Sequence, residues 1–134
     1  MTNLFLGIAV TVLSVSALSF TGSDNETYPI YSDANVSFEI PSDVQVIIDN
    51  SCYACHNNES RSEKSKDKLN FDQLPQMKIS KQVGKLMKIS KVVKKGKMPV
   101  EEFIEKYPDK ALSKEDSERL SSWASTMAGE LGGE

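Results

Sequence analysis

The sequence predicts an all-α domain with three principal helices, and three observations carry that prediction. Apolar residues recur at helical steps of three and four around 44–55, 79–93 and 120–131. Start and stop residues bracket these stretches: Pro41-Ser42-Asp43 and Asn57-Asn58, Gly96 and Pro99, Ser113 and Gly132-Gly133. Strand-like alternation is confined to Val36, Phe38 and Ile40, and no βαβ pattern occurs.

The 134 residues allow one domain and a leader. Sixteen Lys and Arg stand against nineteen Asp and Glu, a net charge of −3, but the charges are segregated. Residues 20–60 hold seven acids and no base, 61–97 twelve bases and three acids, and 98–134 four bases and nine acids. A basic middle between acidic ends bears on docking rather than on fold.

Leu4–Phe20 is apolar apart from small and hydroxyl residues, with Ala17 and Ser19 near a cleavage point, so residues 1–19 are expected to be a signal peptide. The alternative is an anchor retained through residues 4–20, short for a span of about 20 residues. Either reading exports the rest of the chain, and the expected location is the periplasm. Residues 20–37 read as an acidic flexible linker, with the tether ending in a short arm up to Ile40. Residues 38–131 read as the domain.

In the first helix, Ser42 is the expected N-cap. Val44, Ile47 and Ile48 form a stripe that Cys52 and Cys55 continue. Residues 59–68 are almost wholly charged or hydroxyl, and are expected to be a solvated loop without a site. Leu69, Phe71 and Leu74 are expected either to cover a bound group or to pack in the core. Over 78–95, Ile79, Val83, Leu86, Ile89 and Val93 share one side. Lys78, Lys81, Lys85, Lys88, Lys91 and Lys95 fall roughly opposite, as a solvated face or a docking stripe. Phe103, Ile104 and Tyr107 suggest a short helix ended by Pro108. Ser113 caps the last helix with Asp116 in its first turn. Leu120, Trp123, Ala124, Met127 and Leu131 form that helix's apolar face, with Trp123 expected in the core.

Cys52-Tyr53-Ala54-Cys55-His56 carries the chemistry. Two Cys three apart lie on one face of a helical turn and can add to the two vinyl groups of a haem, with the adjacent His ligating iron. A thioredoxin-like reading lacks its βαβ context. A structural zinc site falls short, since two Cys and the single His of the chain leave the tetrahedral set incomplete. With no second His, the other iron position falls to Met98, Met77, Met87, Met127, a Lys, water or nothing. Met98 is favoured, because Gly96 and Pro99 fix a stiff non-helical turn around it.

These residues give the chain a family resemblance. Ser51 to His56, Leu69-Asn70-Phe71, Gly96-Lys97-Met98-Pro99 with Phe103, and Tyr107-Pro108 through Ala111-Leu112-Ser113 to Leu120 and Trp123 resemble the small exported haem-binding domain family of mono-haem c-type cytochromes. The resemblance spans about residues 38–128. It implies a cytochrome c-like fold around one covalent haem c, with His56 as proximal and Met98 as distal iron ligand. One departure is the region after His56. Longer members carry an aromatic, Pro-containing stretch there, where this chain has the short charged segment 57–68.

The expected function is one-electron transfer by a carrier rather than an enzyme. Cys52 and Cys55 would form the thioethers. Acidic redox partners would dock on Lys78, Lys81, Lys85 and Lys88, and nucleic acid is not an expected partner. Two rivals stand beside it: a five-coordinate haem that senses a gas or reduces peroxide, and a haem-free thiol-redox or structural protein.

Overall fold

The computed structural model describes residues 37–133. Among them are five α-helices and no strand: α1 (Ser42–Ser51), α2 (Glu63–Lys68), α3 (Ile79–Lys94), α4 (Glu101–Lys106) and α5 (Lys114–Gly132). Single 3₁₀ turns lie at Leu74–Gln76 and Pro108–Lys110. The all-α class holds, with α1, α3 and α5 as the principal helices. The expected signal peptide over 1–19, and all of the 20–37 linker except Ser37, fall outside the described residues. No described helix is long and apolar enough to cross a membrane.

The cap of α1 lies one residue earlier than expected. Pro41 occupies the capping position without a side-chain bond, and Ser42 is already helical. Proline suits that boundary because a helix leaves its first N–H groups unpaired in any case. Val44, Ile47 and Ile48 are buried as their spacing requires. The start of α1 is tied to α5 by Arg119, which donates to Asp43 at 2.8 Å and to Glu115 at 3.0 Å.

α3 buries Leu86, Ile89 and Val93, with Val83 partly buried, but not Ile79, which is 57 % exposed. The residue that turns inward near its start is Gln82. Its amide donates to the carbonyls of Leu74 (3.1 Å) and Pro75 (2.8 Å), tying the 3₁₀ turn to the helix. Periodicity alone assigned that inward place to an apolar side chain, whereas the turn needed a donor.

α5 packs along α3 and also meets α1. Its cap is as expected: the Ser113 hydroxyl oxygen accepts from the Asp116 N–H at 3.0 Å, and the hydroxyl donates to the Asp116 carboxylate at 2.7 Å. Leu120, Ala124 and Met127 are buried. Trp123 sits at the edge of the core, meeting Phe38 edge-on with ring centres 6.3 Å apart and donating through Nε1 to the Glu39 carbonyl at 3.1 Å. Residues 38–40 are therefore not free tether. Phe38 and Ile40 pack against the core.

Ser113→Ala should lower stability by about 1 kcal/mol through loss of the cap. For a domain of this size that is a fall of about 4–8 °C in Tm, measurable by a calorimetric melt.

Candidate functional site

α1 ends at Ser51, so the Cys-His motif comes after the helix rather than lying in it. Helix-like bonds nevertheless carry the chain round one more turn. The Cys52 N–H donates to Ile48 O (2.9 Å), the Cys55 N–H to Cys52 O (3.1 Å) and the His56 N–H to Cys52 O (3.2 Å). Both thiols and the imidazole thereby reach one pocket of about 90 Å³, which Met98 also lines. α3 and α5 contribute Ile89, Val93 and Leu120, and the segment after Met98 contributes Phe103. The lining is mostly apolar, as small-molecule sites generally are.

The imidazole is held by backbone. His56 Nδ1 lies 3.0 Å from Leu69 O and 3.1 Å from Ser65 O. A carbonyl can only accept, so Nδ1 carries the ring proton and Nε2 is left with its lone pair. Ser65 belongs to α2, in the stretch expected to be a solvated loop without a site. That expectation is corrected: the segment forms a short helix, and its carbonyl orients the imidazole. Six polar residues have no apolar period to reveal a helix. The one sequence signal is Ser62, whose Oγ accepts from the Ser65 N–H at 3.2 Å. At the other end of α2, Lys85 of α3 donates through Nζ to the carbonyls of Asp67 (3.2 Å) and Lys68 (2.5 Å). Lys85 is thus a strut as well as a surface charge, while Lys78, Lys81 and Lys88 are exposed.

The outer side of the motif is laced by polar bonds. The Tyr53 hydroxyl and the Asn58 N–H both donate to the Asp72 carboxylate. The Tyr53 hydroxyl, first, and the Asn58 N–H hold the Asp72 carboxyl below its ordinary range, and the same bond pushes the Tyr53 hydroxyl up. Buried Asn70 donates to Asn58 Oδ1 at 2.8 Å, and the Phe71 N–H donates to His56 O at 2.9 Å. Leu69 and Phe71 line the pocket, whereas Leu74 is wholly in the core. Burial, reinforced by Cys55, pushes the Cys52 thiol up to about 12. Redox-active CxxC pairs depend on the opposite shift, toward a stable thiolate.

Met98 reaches the pocket through the end of α3. Gly96 takes φ +60°, its N–H donates to Val93 O and that of Lys97 to Val92 O, both at 2.9 Å. This paired closure, with Gly in the left-handed position, turns the chain sharply away from the helix axis. The other described methionines lie elsewhere. Met77 packs on the core beside a separate polar hollow, Met87 is 56 % exposed and Met127 is buried.

A family model described as a haem-binding domain matches residues 62–126. The match takes in α2 to α5, with Leu69, Phe71 and Met98, and begins after the Cys-His motif. No curated protein and no solved structure matches the chain.

Two glycine replacements should separate turn from helix. Nothing crowds a methyl at either Gly84 or Gly96. Gly96→Ala, at positive φ, should cost about 1–2 kcal/mol. Gly84→Ala, inside α3, should gain about 0.5–1 kcal/mol. Denaturant midpoints of the two variants moving in opposite directions would bear this out.

Proposed function

We propose that this member of the haem-binding domain family is an exported mono-haem electron carrier. In this reading one haem is attached through thioethers to Cys52 and Cys55, and its iron is held between His56 and Met98. The observation that carries the reading is the convergence of two thiols, an imidazole with Nε2 free, and a thioether on one mostly apolar pocket. That donor set fits a covalently attached haem. When bound, haem iron with His and Met ligands supplies a one-electron couple at raised potential and offers no open coordination position.

The protein's own groups would do the rest. The Ser65 and Leu69 carbonyls hold the imidazole proton on Nδ1 and fix the ring. The Gly96 turn aims the Met98 sulfur. Ile89, Val93 and Leu120 exclude water and keep the local dielectric low. Lys78, Lys81, Lys85 and Lys88 would attract an acidic redox partner at the face of α3, with a rate that falls as salt rises. Nothing in this scheme needs a bound substrate, so the role is transfer rather than catalysis. The location that suits it is the periplasm, reached through the leader at residues 1–19.

One observation favours a second reading, an iron with an open position for a gas or peroxide. Met98 is 38 % exposed, which leaves its thioether room to swing away.

Optical spectra of the purified protein from an exporting host should separate the two. The carrier should give a low-spin reduced spectrum indifferent to carbon monoxide, and Met98→Ala should convert it to a site that binds carbon monoxide readily. Ready binding by the wild type would sink the carrier reading. An unmodified mass after denaturation would sink covalent attachment.

A further inference from the structure

The site pocket has a second compartment of about 310 Å³, sharing His56, Leu69, Ile89, Val92 and Met98 with the first. Neither thiol lines it. Four lysines do: Lys64 and Lys68 from α2, and Lys85 and Lys88 from α3. The lining is almost wholly apolar, so it is the lysine stems that face the compartment, while the ammonium groups of exposed Lys64, Lys68 and Lys88 are grouped around it and repel one another. None of the four forms an ion pair among the described residues, although Lys66, between two of them, pairs with Glu63 at 2.8 Å. Burial, then the charges of Lys88, Lys68 and Lys81, pull the Lys85 ammonium below its ordinary pKa, with Asp67 opposing them. The face expected to dock a partner is thereby divided: Lys85 and Lys88 line this compartment, while Lys78 and Lys81 do not.

The chemistry of the proposed ligand supplies the missing anion. A haem carries its two vinyl groups on adjacent pyrrole rings and its two propionates on the other two. A vinyl edge fixed at Cys52 and Cys55 would put the carboxylates on the side away from the thiols, and the compartment without thiols is the one the lysines line. Burying a carboxylate without a partner is strongly unfavourable. We propose that the lysine-framed compartment receives the two haem propionates, with Lys64, Lys68 and Lys88 as their cationic partners and Lys85 bracing the helix that carries two of them. This inference rests on the haem reading above.

The test uses the full haem-loaded chain with Lys64→Gln, Lys68→Gln and Lys88→Gln made singly. Controls are Lys94→Gln and Lys114→Gln, which border a separate groove between α3 and α5. Each pocket variant should shift the oxidised-to-reduced balance about twofold toward the ferric state, the Coulomb effect of one charge about 10 Å away in a water-like medium. For one electron that is about 18 mV, and the redox-difference infrared bands of the propionate carboxylates should move with it. Lys→Arg at each position should restore both signals, and the controls should change neither. Unmoved potentials and carboxylate bands in all three variants would overturn the assignment. So would variants that only slow electron exchange with an acidic partner, since the lysines would then serve docking alone. A Gln variant that fails to load haem while its Arg counterpart loads counts for the pairing. A wild type with no thioether-bound haem fails at the earlier step, and is told apart by its mass before any variant is made.

Discussion

Much of the site depends on the bond from His56 Nδ1 to two backbone carbonyls. The chain has one imidazole, and its usefulness as a ligand turns on which nitrogen keeps the proton. Ser65 O and Leu69 O settle that from one side of the ring. Outer bonds of this kind typically change metal affinity by about 10–100-fold when lost, more than a single net hydrogen bond contributes to stability. The short α2 makes sense in that light. It buries none of its residues, and is held by a serine cap at one end and a lysine from α3 at the other. A helix with no core contribution is held here by that cap and by the bonds its carbonyls accept from Lys85 and His56.

The two sides of the motif are built from different forces. Toward the pocket, α3 and α5 present aliphatic side chains whose burial supplies the bulk of the folding free energy, at roughly 1.5–3 kcal/mol each. On the outer side, Asp72, Asn58, Asn70 and Tyr53 form a mesh of directional bonds that sets the path of residues 52–58. Apolar packing tolerates small shifts, whereas directional bonds specify position. The division places the specifying bonds next to the residues that must be aimed, and the tolerant packing where a large flat group would need accommodation.

How much of this was legible in sequence depends on the kind of signal each part leaves. Helix faces with several apolar residues were readable: Val44, Ile47, Ile48, Leu86, Ile89, Val93 and Leu120 are buried where their spacing put them. The Gly96 turn was readable too, because positive φ leaves a residue-type signature. Backbone acceptors leave none, so Ser65 and Leu69 could not be picked out as the imidazole's partners. Lys85 repeats at the same spacing as its solvated neighbours, and only its reach to α2 distinguishes it. Gln82 takes an inward place near the start of α3 for a similar reason, its amide closing a turn. The contact of Phe38 with Trp123 joins positions too far apart for any local pattern to predict.

That last contact, together with the Asp43–Arg119 bond, has a practical consequence for anyone dividing the chain. The residues that match the haem-binding domain model, 62–126, leave out part of the packed core. A fragment cut at those limits would forfeit α1 and with it Val44, Ile47 and Ile48, exposing the surface of α5 against which α1 packs, and would leave Trp123 without Phe38. It would also lack both thiols and the histidine. A fragment that keeps these contacts starts no later than Phe38.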